Sequence, residues 1–265
     1  MRKTPSSEHD FPYWLLTLIG VGIYLFWHVL SDNLYSQVLA TLSKGIWTTV
    51  MVTVVAFGMA ATLGLLLAVA GGSRFLLVRQ AARLYVEVVR GIPIIVLLLY
   101  VAFALAPALV ELWNFLTGYL GFDRVRSRDF SLLWRAVIAL TIAYSAFLAE
   151  VFRAGLASVD PGQVEAAEAL GLSKWQIFRL VVFPQGFRVI LPPLGNDFVA
   201  MVKDSSLVSV LGVTDITQLG KVTAAGNFRY FETYNVVALV YLTMTITLSL
   251  ALRRLEKRMR LGQDR

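Results

Sequence analysis

Long uncharged apolar runs alternate with short basic segments along the chain. A helix that crosses the hydrocarbon core of a bilayer needs about 20 predominantly apolar residues. Five runs reach that length, and a sixth is more polar; together they occupy 13–30, 46–70, 91–110, 132–151, 190–213 and 234–252. The pattern predicts an all-α integral membrane protein with about six transmembrane helices.

The first apolar run has two interpretations, a cleaved secretory signal or a retained helix. It is longer than the apolar part of a signal peptide, and no small-residue cleavage site follows it. Aromatic residues typical of a membrane interface flank it, namely Tyr13, Trp14, Trp27 and Tyr35. We therefore expect residues 13–30 to remain as a transmembrane helix.

The composition favours a membrane protein and removes several kinds of site. Of the 265 residues, 57% are hydrophobic and 15% are charged, whereas soluble domains average about 25% charged residues. The chain has no cysteine for a thiolate site and only two histidines, so a histidine-rich metal site is not expected. No Gly/Ser-rich or Pro-rich linker divides the sequence, which predicts one membrane domain over residues 1–265.

The distribution of lysine and arginine predicts the orientation of these helices. Fifteen lie in segments that share one side with both termini, six lie in segments on the other side, and three lie within or at the edges of the apolar runs. Because positively charged loops stay on the cytoplasmic side, both termini are predicted to be cytoplasmic. The same asymmetry explains the net charge of +7, so that charge does not indicate a nucleic-acid partner.

The cytoplasmic segment 156–188 carries two helix-start signals, which a simple connecting loop would not need. Asp160 is placed to cap a helix that has Pro161 at its first position and Gln163 at its third. Gly171 follows the apolar and acidic run, where a helix end commonly requires a left-handed residue. The pattern predicts a short helix that ends in a glycine turn.

A second short helix is expected directly after this turn. Ser173 and Gln176 form a capping-box pattern. We expect this helix to stop at Phe183-Pro184, because proline cannot donate to the helical ladder.

The surface of the first short helix leaves two interpretations open. Ala166 and Ala167 are small enough to let another protein approach closely, and Glu165 and Glu168 could be recognised by a basic partner. Alternatively, the pair of helices is an ordinary hairpin lying on the membrane surface.

A resemblance bears on this choice. The spacing of Glu165-Ala166-Ala167, Gly171, Val181 and Phe183-Pro184 resembles the EAA loop of ABC-importer permeases, EAA-x3-G-x9-I-x-LP. Val181 replaces the isoleucine and Phe183 replaces the leucine of that motif. The resemblance implies that the loop is a coupling helix seated in a groove of a cytoplasmic ATPase, with Glu165, Ala166, Ala167 and Gly171 as coupling residues.

Four further strings are similar to the polar amino-acid branch of these permeases, and they lie at 90–93, 149–155, 191–196 and 203–209. The resemblance covers about residues 40–260, so the helix at 13–30 is additional to a five-helix permease core. It implies a pair of permease subunits, identical or different, in the bacterial inner membrane. Further implied partners are two ATP-binding subunits and an extracytoplasmic solute-binding protein that delivers an amino acid.

The chain has no phosphate-binding loop of its own. Such a loop ends in Gly-Lys-Ser/Thr, but the nearest fragment here is Gly220-Lys221-Val222, with no hydroxyl to bind Mg²⁺. We therefore expect no cofactor in this subunit, which is not an enzyme itself, and expect ATP and Mg²⁺ to be bound by a partner. HExxH and GxSxG motifs are also absent, so an intramembrane enzyme is not favoured.

The 190–213 run is too polar to face lipid on all sides. One helical face holds Asn196, Ala200, Lys203 and Leu207, and the adjacent face holds Asp197, Met201, Asp204 and Val208. Intramembrane charges are candidate functional groups, so this stripe is expected to face the protein interior or a water-filled path. Lys203 either pairs with Asp197 or Asp204 or, like Asn196, contacts the substrate.

The predicted substrate path includes further polar residues. Asp204, Ser205 and Ser206 follow Lys203, and Glu150 lies in the fourth run. Glu150 either pairs with Arg153, or binds a substrate ammonium group or gates the path.

Four other charged side chains have simpler expected roles. Glu87 is expected to form an interfacial ion-pair cluster with Arg83 and Arg90, and Arg135 to extend to the outer membrane surface.

The alternative function is an ion-coupled secondary transporter of a small polar solute. Glu150, Asp197, Lys203 and Asp204 could then relay protons. A secondary transporter does not require the structured 160–184 loop, so the sequence favours an ATP-driven importer.

Overall fold

The computed structural model describes residues 13–118 and 123–260, and within these ranges it contains helices and no strand. Apart from a short 3₁₀ turn at Ser127–Asp129, the described ranges hold nine helices. They are α1 (Tyr13–Ser31), α2 (Asn33–Gly71), α3 (Leu76–Gly91), α4 (Ile94–Gly118), α5 (Leu132–Ala157), α6 (Pro161–Ala169), α7 (Lys174–Leu211), α8 (Ile216–Asn227) and α9 (Tyr230–Arg260). A π-helical segment lies inside α4 at Val101–Leu105 and another inside α7 at Phe178–Val182, and α7 ends in a 3₁₀ segment, Ser205–Leu211.

Five of the described helices are long and apolar enough to cross a bilayer, namely α2, α4, α5, α7 and α9. They confirm the predicted all-α membrane fold. α1 precedes them, and its bounds agree with the helix expected at 13–30; that it crosses the membrane stays a prediction.

The main core lies where α2 packs along α5. Val52, Ala56, Ala60 and Gly64 follow one another at four-residue spacing, which places them on one face of α2. The three side chains are fully buried, and a Cβ on Gly64 would lie 3.0 Å from the carbonyl oxygen of Ser145. Small residues therefore let the two helices approach closely, as is common between helices in membranes.

A second cluster ties α1 to α2, α8 and α9; its buried members include Val29, Val38, Leu42, Ile216 and Val236. The closest approach in this region is at Gly45, where an added Cβ would lie 2.6 Å from the backbone carbon of Asp215. The glycine is thus required for the start of α8 to lie against α2.

The predicted start of the third span at residue 91 is wrong. α3 occupies 76–91, and the membrane-spanning helix begins only at Ile94. Ile92 is extended, with φ −99° and ψ 130°, because a following proline disfavours the helical conformation. Pro93 therefore separates two helices instead of kinking one.

The expected extension of Arg135 to the outer surface is also wrong, since this side chain is only 6% exposed. The N–H of Ala106 bonds to the carbonyl of Val101 in the π segment, and Pro107 has no N–H. The carbonyl of Ala102 is left without a helical donor, and Arg135 Nη1 donates to it at 2.6 Å. A buried carbonyl without a partner is costly. Arg135 is held inside by this acceptor together with the Phe130 carbonyl, 3.0 Å from Nε, and the carbonyl and hydroxyl of Ser127, to which Nη2 donates.

Candidate functional site

The loop between α5 and α7 is built as its local signals predict over its first half. The Asp160 carboxylate accepts a hydrogen bond from the N–H of Gly162 at 2.7 Å and caps α6. Gly171 has φ +77°, and its N–H bonds to the carbonyl of Glu168 at 2.9 Å. The predicted short helix and its left-handed glycine turn are confirmed.

The second half of the loop differs from the prediction at its end. The N–H of Ser173 bonds to Gln176 Oε1 at 2.8 Å, which confirms the predicted capping box. The expected stop at Phe183-Pro184 is wrong, because α7 continues through it. The N–H of Phe183 bonds to the carbonyl of Phe178, five residues back, and this wider turn accommodates the ring of Pro184.

The exposed surface of α6 contains some of the predicted coupling residues. Glu165, Ala166 and Gly171 are exposed, whereas Ala167 is buried and faces the rest of the loop. The residue that the sequence interpretation missed is Leu170, whose side chain is 81% exposed at the tip of α6. Glu168 is exposed as well. The carboxylates of Glu165 and Glu168 and the apolar side chain of Leu170 thus lie close together on and at the end of a short helix.

The polar stripe of α7 is divided between two environments. Met201 and Val208 are fully buried, while Asn196 and Lys203 are exposed on the surface of the chain. Within residues 13–118 and 123–260, no carboxylate oxygen lies within 4.0 Å of the Lys203 ammonium. The expected pairing of Lys203 with Asp197 or Asp204 is therefore not found there.

Asp204 and the two serines after it hold α7 in place. The Tyr144 hydroxyl donates to Asp204 Oδ2 at 2.7 Å, which joins α7 to α5. Ser205 is fully buried and donates to the carbonyl of Val202 at 2.7 Å, and Ser206 is half-buried. In this chain Asn196 and Lys203 are thus the more accessible polar groups of the predicted path.

Glu150 forms the expected ion pair with Arg153, one turn further along α5. The two side chains line a cavity of about 380 Å³ between α2, α3 and α5, to which Arg83 and Glu87 also contribute. The predicted ion pairs of Glu87 with Arg83 and Arg90 are not found in the described residues. No residue of α7 lines this cavity, so this chain does not bring Glu150 and Lys203 together in it.

A buried acid that the sequence interpretation did not single out lies at the start of α8. Asp215 Oδ1 accepts from the N–H of Gln218 at 2.7 Å, and Oδ2 accepts from the Tyr241 hydroxyl at 3.2 Å. Thr49 of α2 accepts from the N–H of Ile216 at 3.4 Å. Burial raises the pKa of Asp215 above its ordinary value, although the hydrogen bonds from Gln218 and Tyr241 oppose the shift. The spacing of Asp215 and Gln218, an N-cap pattern, was the available signal.

Comparison with known proteins supplies independent findings. A family model described as "Binding-protein-dependent transport system inner membrane component" matches residues 60–261. Over 220 residues the chain is 36% identical to the glutamine transport system permease protein GlnP of Escherichia coli (strain K12), a match that covers 83% of this chain and 93% of that protein. It is 34% identical over 210 residues to the probable amino-acid permease protein YxeN of Bacillus subtilis (strain 168), covering 79% of this chain and 87% of the relative.

The fold also has a counterpart among solved structures. A chain in the crystal structure of an amino acid ABC transporter with histidines is 34% identical and matches with a TM-score of 0.71. The match covers 86% of this chain and 97% of that one. The fold and the sequence therefore point to the same set of relatives.

Proposed function

We propose that this chain, which belongs to the family of binding-protein-dependent transport system inner membrane components, is the permease subunit of an ATP-driven amino-acid importer. The observation that carries this proposal is the capped helix α6 with its glycine turn, which presents Glu165 and Ala166 of the EAA motif on an exposed surface. The relatives named as glutamine and amino-acid permeases support the choice of substrate class. An ion-coupled transporter would need no such loop, so the ATP-driven importer is the better account.

In this proposal the chain depends on other subunits for energy and for substrate capture. Two cytoplasmic ATP-binding subunits bind ATP and Mg²⁺, and this subunit has no ATP site of its own. A second permease subunit completes the path, and an extracytoplasmic solute-binding protein delivers the amino acid. The protein lies in the plasma membrane with both termini in the cytoplasm, and nucleic acid has no part in its function.

The proposed division of the single domain 1–265 follows from the same argument. Residues 40–260 form the permease core, 156–188 form the coupling loop, and 13–30 form an additional helix packed on α2 and α9.

The docking surface for the ATPase consists of Glu165, Ala166 and the Gly171 turn, with Ala167 supporting it from inside. The Glu165 carboxylate and the adjacent exposed Glu168 favour a groove with basic side chains, because opposite charges across an interface direct the approach of the partner. Leu170 adds an apolar contact for a pocket in that groove, since a large exposed apolar side chain gains stability when it is covered.

The substrate path runs along the exposed polar face of α7. An amino-acid zwitterion needs a donor for its carboxylate and an acceptor for its ammonium group. Lys203 supplies the donor, and the side-chain amide of Asn196 can act as a donor or as an acceptor. Glu150 is the proposed acceptor nearer the cytoplasm, and Asp204, Ser205 and Ser206 shape the path beside Lys203.

The test is uptake of a panel of radiolabelled amino acids into vesicles that contain the permease, its ATPase and its binding protein. Lys203→Met and Glu150→Gln are expected to reduce uptake and alter substrate preference while the ATPase still co-purifies. Lys221→Met, on the exposed surface of α8, is the matched control and should transport normally. Uptake that persists without ATP but requires an ion gradient would refute the proposal.

A further inference from the structure

A pair of glutamine side chains joins α6 to α7. Gln185 Nε2 donates to Gln163 Oε1 at 2.6 Å, and the same nitrogen donates to the carbonyl of Val181 at 3.0 Å. One amide thus contacts both the first turn of α6 and the end of the π segment in α7. Gln185 directly follows Pro184, at the point where α7 returns from π-helical to α-helical geometry.

Few other contacts fix the position of α6. It packs mainly against residues 174–182, and the carbonyl of Ala167 accepts the N–H of Leu172 within the glycine turn. In the part of the chain that the structure describes, the Gln163–Gln185 bond is the only side-chain hydrogen bond between α6 and another helix. α6, whose start also follows α5 directly along the chain, is therefore attached to α7 at its end by the turn and at its start by this amide pair.

The residues that follow Gln185 are held firmly against α5. A Cβ on Gly186 would lie 3.0 Å from the carbonyl oxygen of Gly155, and a Cβ on Gly155 would clash with Ile190. Two glycines thus let the backbones of α5 and α7 touch at this crossing. Gln185 lies between a lightly attached helix on one side and a closely packed crossing on the other.

We infer that Gln163 and Gln185 form a positioning pair that transmits movement of α6 to α7, and through α7 to the face that carries Asn196 and Lys203. This inference rests on the proposed coupling role of α6. A displaced α6 pulls on Gln185 and on the carbonyl of Val181, and therefore on the junction at which α7 changes its helical geometry. Without the pair, α6 can move with its partner while α7 stays in place, so ATP hydrolysis continues with less transport.

The experiment changes the hydrogen-bonding character of the two positions in reconstituted vesicles that contain the full importer. Gln163→Glu retains an acceptor for the Gln185 N–H, so it controls for the added charge. The double variant Gln163→Glu/Gln185→Glu places two carboxylates opposite each other and removes every donor. The double variant Gln163→Lys/Gln185→Glu restores a donor and an acceptor in the reverse order. The quantity measured is amino acid imported per ATP hydrolysed, together with the amount of ATPase that co-purifies.

We expect the double-glutamate variant to lose about fivefold or more of the transport per ATP, because a hydrogen bond of this kind changes an equilibrium by about that factor. The single Gln163→Glu variant and the Lys/Glu variant should remain within about twofold of the wild type. All variants should bind equal amounts of ATPase.

Three results would overturn the inference. The first is that the double-glutamate variant imports as much amino acid per ATP as the wild type. The second is that the Lys/Glu variant is as impaired as the double-glutamate variant. The third is loss of ATPase binding, which would assign the pair to docking. A wild-type chain that neither binds an ATPase nor imports amino acids would instead overturn the proposed function.

Discussion

Replacement of Gly171 by valine tests the coupling loop with little other disturbance. Gly171 has φ +77°, and a Cβ built on it meets no atom within 4 Å. The effect therefore comes from the backbone alone. A residue other than glycine in this left-handed region costs about 1–2 kcal/mol, and a β-branched residue is among the least tolerated there. That energy changes the population of the native turn by a factor of about 5–30.

The assay measures ATPase binding to the detergent-solubilised permease and uptake by the reconstituted importer. In Gly171→Val we expect coupled ATP hydrolysis and uptake to fall about fivefold or more, because α6 no longer holds its angle to α7. Gly171→Asn is the matched control, since asparagine adopts the left-handed conformation more readily than valine, and it should lose far less activity. Normal ATPase binding together with normal uptake in Gly171→Val would refute the reasoning.

Two further predictions concern stability and orientation. Arg135→Met removes the donor to the Ala102 carbonyl together with the bonds to Phe130 and Ser127. It should destabilise the protein by about 1–3 kcal/mol or more, measured as a lower Tm in detergent. Arg135→Lys, which keeps a donor, should lose less, and an equal Tm for Arg135→Met would contradict the structural role of these bonds. The chain has no cysteine, so Asp123→Cys and Gly262→Cys can be labelled singly: an impermeant thiol reagent applied outside should modify position 123 and spare position 262, and the opposite result would reverse the orientation.

Sequence signals predicted the two ends of α6, because neighbouring residues determine them. The start of α6 depends on the Asp160 side chain and an N–H two residues away, and its end depends on a glycine that adopts a left-handed φ. Both are encoded within a few neighbouring residues. The pattern of apolar runs likewise predicted the five long helices, because a segment inside the membrane must satisfy its backbone hydrogen bonds internally and a helix does so.

The prolines show why the remaining boundaries could not be predicted from the sequence. Pro93 separates two helices, whereas Pro107 and Pro184 are continued through. At the last two, a π segment ends two residues before the proline, and at Pro107 the free carbonyl is bonded by Arg135 from another helix. The outcome at Pro107 therefore depends on a donor from another helix that no local pattern contains.

Only part of the candidate site could be predicted, because some of its contacts come from residues that are distant in sequence. Helical periodicity separates the Asn196 face of α7 from the Met201 face, and their different burial agrees with that division. The bond from Tyr144 to Asp204 links residues that are far apart in sequence. Periodicity gives the direction of a side chain along one helix but not the neighbour that it meets.

The π segment of α7 also determines the rotational phase of the helix beyond it. A π turn holds one more residue than an α turn over the same length of axis, and each residue of an α-helix corresponds to 100° of rotation. If Phe178–Val182 became regular α-helix with no residue lost, the residues after it would turn by about 100° relative to the loop, whereas deleting one residue there would restore α geometry and leave their direction nearly unchanged. The direction in which Asn196 and Lys203 point is thus determined near the loop that joins α5 to α7, more than a dozen residues before either of them.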